Sequence, residues 1–100
     1  MDKRRALKIA KQFVETLPKE YAVKKAFLFG SYAKGSAHDY SDIDVALVLK
    51  KCESRYETMV KLMLIGMKVD ASIEPHPMSE KDFKEGSSLI NEIKKHGILL

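Results

Sequence analysis

From Lys3 to Leu17 the apolar residues Ala6, Ala10, Phe13, Val14 and Leu17 recur at steps of three and four. That spacing lines one face of an amphipathic helix, and Pro18 stops it. Lys24 to Phe29 carries Ala-Phe-Leu-Phe without alternation, which predicts a central strand covered on both faces and closed by Gly30-Ser31. Tyr32 to Lys34 predicts one helical turn ending at Gly35, and Ser36 to Ser41 reads as loop. Ile43 to Lys50 alternates: Ile43, Val45, Leu47 and Leu49 fall on one face, with Asp42, Asp44, Ala46, Val48 and Lys50 on the other. Glu53 to Gly66 predicts a crossover helix through Tyr56, Met59, Val60, Met63 and Met67, with the methionines expected in the core. Lys68 to Glu74 predicts a third strand ended by Pro75 and Pro77. Ser79 is expected to cap a short helix through Phe83, and Ser87 or Ser88 another through His96, with Gly97 as its left-handed terminator. The fold class is α/β (α+β), a small mixed sheet packed with helices.

One hundred residues, 45% hydrophobic and 32% charged, suit one packing unit, so residues 1–100 are expected to form a single domain. No apolar run approaches the roughly 20 residues of a membrane span. The basic start MDKRRALKIAKQF lacks the apolar core of a signal peptide, and a cytoplasmic protein is expected. A single cysteine, Cys52, allows no internal disulfide and has no metal-ligand spacing around it. Eighteen Lys and Arg against fourteen Asp and Glu give +4, too mild to name a partner. Without interleaved surface aromatics, specific RNA or DNA binding is not expected.

The chemistry concentrates in Gly30-Ser31, followed after ten residues by Asp42-Ile43-Asp44. Gly30 lets the backbone turn sharply and approach a ligand, and Ser31 with the N–H groups of the following turn can donate to phosphate oxygens. Asp42 and Asp44 point to one side of a strand, with Cα atoms roughly 6.5–7 Å apart, so both carboxylates reach one divalent cation or a pair. Hard oxygen ligands suit Mg²⁺ or Mn²⁺. Taken singly, Gly-Ser after a strand is an ordinary turn and an aspartate pair an ordinary solvent face. Together they differ, because aspartate is depleted in strands and two at one end repel unless a cation relieves them. Of the histidines, His76 reads as a loop residue between prolines, His96 as a helix-dipole partner, and His38 as a residue within reach of the phosphate loop.

This Gly-Ser-x10-Asp-x-Asp signature resembles that of the polymerase-beta-like nucleotidyltransferases, and so short a chain resembles their minimal (MNT) branch. The resemblance implies a third carboxylate on a neighbouring strand in an apolar-Asp-apolar context. Val69-Asp70-Ala71 matches it, and Ile73-Glu74-Pro75 is a rival. Asp70 is preferred because it lies near the start of its expected strand, as Asp42 and Asp44 do in theirs; Glu74, about 13 Å along the strand, could not share its ion. The implied chemistry is transfer of NMP, AMP from ATP, to an acceptor hydroxyl. Two Mg²⁺ or Mn²⁺ ions would be held by Asp42, Asp44 and Asp70, with Gly30, Ser31 and Lys34 on the phosphates. The implied partner is a HEPN toxin, modified on tyrosine by this chain as antitoxin. Two other readings stay open: a non-catalytic binding antitoxin, and a nucleotidyltransferase for a small molecule or nucleic acid.

Overall fold

The computed structural model describes all 100 residues. Helix α1 (Lys3–Thr16) begins where the Asp2 carboxylate accepts the N–H of Arg5, and it buries Ala6, Ile9, Ala10 and Phe13 as a single stripe. Complete burial of a side chain such as Phe13 contributes about 1.5–3 kcal/mol. A 3-10 turn at Lys19–Tyr21 leads into β1 (Val23–Phe29), and Ser31–Lys34 forms the one-turn helix α2. The alternating run becomes β2 (Ile43–Leu49), followed by α3 (Arg55–Met67), β3 (Ile73–Ser79), α4 (Glu80–Glu85), α5 (Ser88–His96) and the two-residue β4 (Ile98–Leu99).

The sheet order is β3-β2-β1-β4. β1 runs antiparallel to both β2 and β4, while β2 and β3 are parallel, as the crossover through α3 requires. One face of β2, carrying Ile43, Val45, Leu47 and Leu49, packs beneath α1 and Leu62 of α3. On the other face Ala46 and Val48 join Phe29, Met78, Ile90 and Ile93 beneath α5. The mixed sheet with helices on both faces is the predicted class, and Ser79 and Ser87 cap α4 and α5 as expected.

Four expectations are corrected. The third strand starts at Ile73 rather than Lys68 and passes through both prolines. β3 is an edge strand whose pairing with β2 is unbroken from Ile73 to Ser79. Successive N–H groups alternate in direction, so Pro75 and Pro77 place their missing donors on the free edge and leave Glu74, His76 and Met78 to face β2. Gly97 is not left-handed: it is extended at φ −65° and ψ 149°. A Cβ there would run into the carbonyl of Ile93, to which the Gly97 N–H bonds. β4 had no counterpart in the expected layout. Finally, α3 turns Leu62 and Gly66 inward, with Gly66 tight against Ile73 and Phe13. That rotation leaves Tyr56, Val60, Met63, Leu64 and Met67 exposed, so the expected methionine core stripe is largely a surface.

Candidate active site

The site is built where β1 ends and β2 and β3 begin. Phe29 pairs with Asp44, and Asp44 with Glu74, so three residues of three strands form one row across the sheet. Side chains of paired residues share a face, which puts Asp44 and Glu74 together on the α5 side. Asp42, two residues before Asp44, lies close enough to share a hydrogen bond with Glu74. His76, two residues beyond Glu74, also turns to this side: its Nε2 lies 3.1 Å from Asp44 Oδ1 and 3.8 Å from Glu74 Oε1. Ligand atoms of Asp44, Glu74 and His76 fall within 4.8 Å of one another.

Gly30 closes the row from the side of the turn that leads into α2. Its backbone (φ 75°, ψ −150°) is a conformation essentially confined to glycine. A Cβ at that position would collide with Asp44 Oδ2. Beyond it, Ser31 begins α2, the Lys34 N–H bonds back to the Gly30 carbonyl, and Gly35 ends the turn in the left-handed region. Lys34 forms an ion pair with Glu92 of α5, whose carboxyl is held below the usual glutamate range by the hydrogen bond and charge of Lys34.

Asp70 is elsewhere. It lies in the turn before β3, where its Oδ1 accepts the Ser72 N–H at 2.8 Å and its own N–H bonds to the Gly66 carbonyl. The carboxylate the sheet brings to Asp42 and Asp44 is Glu74. His76 is likewise not a loop residue but a strand residue at the site. Sequence reasoning misses it because prolines ordinarily end a strand. The alternation Glu-Pro-His-Pro was the available signal: two polar side chains spaced by two, each followed by a residue with no N–H to give.

Glu74 titrates above the ordinary glutamate range. The hydrogen bond with Asp42 is the largest cause, followed by partial burial and the charge of Asp44, while His76 opposes. Its neighbours therefore disfavour the ionised form of Glu74, and a divalent cation among these carboxylates would relieve that. The donor set is mainly carboxylate oxygen, the chemistry that Mg²⁺ and Mn²⁺ take. The site is open: the Glu74 side chain is 45% exposed, and the largest groove of the molecule, about 580 Å³ along β1 and β4, is lined by none of these acids.

The chain matches the family model described as polymerase beta, nucleotidyltransferase, over residues 11–100. It is 35% identical over 79 residues to a provisionally named protein adenylyltransferase of Methanocaldococcus jannaschii, covering 74% of this chain and 78% of that protein. Its fold is similar to the crystal structure of a provisionally named nucleotidyltransferase from Sulfolobus solfataricus (TM-score 0.67, 24% identity, 97% of this chain and 80% of that one). It is also similar to a chain in the complex of tri-AMPylated Shewanella oneidensis HEPN toxin with MNT antitoxin (TM-score 0.56, 17% identity, 94% and 70%). No helix of the chain is long and apolar enough to cross a membrane.

Two expected outcomes test this geometry. Gly30→Ala forces both a strained backbone and a displaced Asp44 carboxylate, and should lower stability by about 1–3 kcal/mol in denaturant titrations. A raised carboxyl pKa favours folding below the unfolded value, near 4.3, and that contribution is lost as pH climbs through the folded one. In chelator, Glu74→Gln should therefore gain thermal stability relative to the parent protein as pH rises through and above that range. Added Mg²⁺ should narrow or reverse the difference.

Proposed function

The chain belongs to the polymerase beta nucleotidyltransferase family and is a nucleotidyltransferase; we propose that it transfers AMP from ATP to a hydroxyl of a protein acceptor, with divalent cations held by Asp42, Asp44 and Glu74. The observation that carries this reading is the pair Asp44 and Glu74, in register across β2 and β3 beside the Gly30-Ser31 bend, with Asp42 next to Glu74. Bound there, Mg²⁺ would neutralise the triphosphate and acidify the attacking hydroxyl.

The chain's own residues supply the rest. Ser31 and the backbone N–H groups of the α2 turn receive the β- and γ-phosphates, and Lys34 adds positive charge once a phosphate competes with Glu92 for it. Glu74 takes the role expected of Asp70. It lies on the edge strand with its side chain 45% exposed, so an acceptor hydroxyl can reach it from solvent and leave its proton there. The acceptor oxygen bonds to the α-phosphorus as the bridge to the β-phosphate breaks, and pyrophosphate leaves with that electron pair.

Three features favour a protein acceptor. The relative from Methanocaldococcus jannaschii is named as an adenylyltransferase of proteins, and the Shewanella oneidensis complex pairs an MNT antitoxin with a tri-AMPylated HEPN toxin. The acids lie on an open surface rather than in a closed small-molecule cavity. The outward apolar residues of α3, from Tyr56 to Met67, leave an area that a helical partner can cover. The partner in this reading is a HEPN-type protein and the chain is its antitoxin.

Incubation of the purified chain with α-labelled ATP, Mg²⁺ and a cognate HEPN protein should label that protein and release pyrophosphate. Asp42→Asn and Asp44→Asn should each reduce labelling by at least ~100-fold, as loss of a charge-stabilising group at a reacting phosphate does. Undiminished labelling by both variants would reject the assigned site, and a HEPN protein silenced without nucleotide would favour simple binding.

A further inference from the structure

His76 is the polar side chain at this site that the acid row does not account for. It faces Ala46 across the ladder, and that methyl leaves the imidazole room to lean toward Asp44. The ring is only 22% exposed and stands edge-on to Phe29, with centroids 4.9 Å apart and planes at 69°. Both Glu74 and His76 precede a proline, which confines each to extended backbone, and the prolines fix φ between them. Glu-Pro-His-Pro thus holds two polar side chains on one side of an edge strand with little freedom to move.

The two oxygens of Asp44 face different neighbours. Oδ1 meets His76 Nε2 at 3.1 Å, and Oδ2 is the atom nearest the empty Cβ position of Gly30. We infer that His76 is a positioning residue: its Nε2–H donates to Asp44 Oδ1, occupies that oxygen, and leaves Oδ2 aimed at the Gly30-Ser31 bend as the single oxygen Asp44 offers a cation. A carboxylate so held binds through one oxygen, which suits the strict octahedron of Mg²⁺ and the closely similar Mn²⁺. Outer hydrogen bonds of this type change metal affinity by on the order of 10- to 100-fold. The inference rests on the reading of Asp42, Asp44 and Glu74 as the cation site.

The test is Mn²⁺ uptake by the full chain, read from the electron paramagnetic resonance of the free ion with a non-hydrolysable ATP analogue present. His76→Phe keeps a ring against Phe29 and removes the donor; His76→Leu is a second donor-free variant should the first not fold. His76→Gln retains an N–H at a similar reach. The donor-free variants should bind Mn²⁺ about 10- to 100-fold more weakly, the glutamine variant should recover most of the loss, and all should melt with the parent protein in chelator. Parental Mn²⁺ affinity in His76→Phe or His76→Leu would overturn the inference, as would equal loss in His76→Gln. A nitrogen bound directly to Mn²⁺, seen by electron spin echo modulation, would overturn it by making His76 a ligand. If Asp44→Asn weakens uptake and the donor-free variants do not, only the inference about His76 fails. If the parent protein itself takes up no Mn²⁺ with the analogue, the reading of the site fails with it.

Discussion

The parallel register of β2 against β3 puts like charges side by side. Asp44 stands level with Glu74, and Asp42 reaches the same carboxyl. Such pairs oppose sheet formation and gain nothing from burial. They persist because the register is set elsewhere: Ile43, Val45, Leu47 and Leu49 must face α1 and α3, and slipping β2 by one residue would turn that entire apolar set outward. Core packing on one face thereby imposes electrostatic strain on the other.

The two faces of the sheet divide the work. The side beneath α1 and α3 holds most of the buried side chains, and Gly66 brings α3 close to Ile73 at the start of β3. On the opposite side the core under α5 is smaller, and it gives way to Asp44, Glu74 and His76 at the end near Gly30 and α2. Glu92 of that same helix holds Lys34, so α5 both covers the sheet and engages the α2 turn. Polar groups that would be costly inside the first core lie at the margin of the second, where solvent and ligand reach them.

Much of this was legible in the residues themselves. The three-and-four spacing of α1, the alternation of β2, and the pair Gly30-Ser31 with Asp42-Ile43-Asp44 each carry a local physical cause, and each lies where the pattern placed it. Asp70 and Glu74 could not be sorted the same way, because the choice depends on where a strand begins, and Val69-Asp70-Ala71 looks as strand-like as Ile73-Glu74-Pro75. The deciding facts are tertiary. Asp70 is taken up by the Ser72 N–H in a turn, and the prolines are tolerated only because β3 is at the edge. The outward position of the α3 methionines escapes the sequence for a similar reason. Periodicity shows that a helix has an apolar stripe, but Leu62 and Gly66 decide which stripe meets the sheet.

The central claim is that strand register, not proximity in sequence, selects Glu74 as the third acid. It is tested most directly by anomalous diffraction from crystals grown with Mn²⁺ and a non-hydrolysable ATP analogue. The account predicts scattering between the carboxylates of Asp42, Asp44 and Glu74, with the triphosphate against Gly30 and Ser31. Manganese held by Asp70, or none at the acid row while nucleotide is bound, would contradict it.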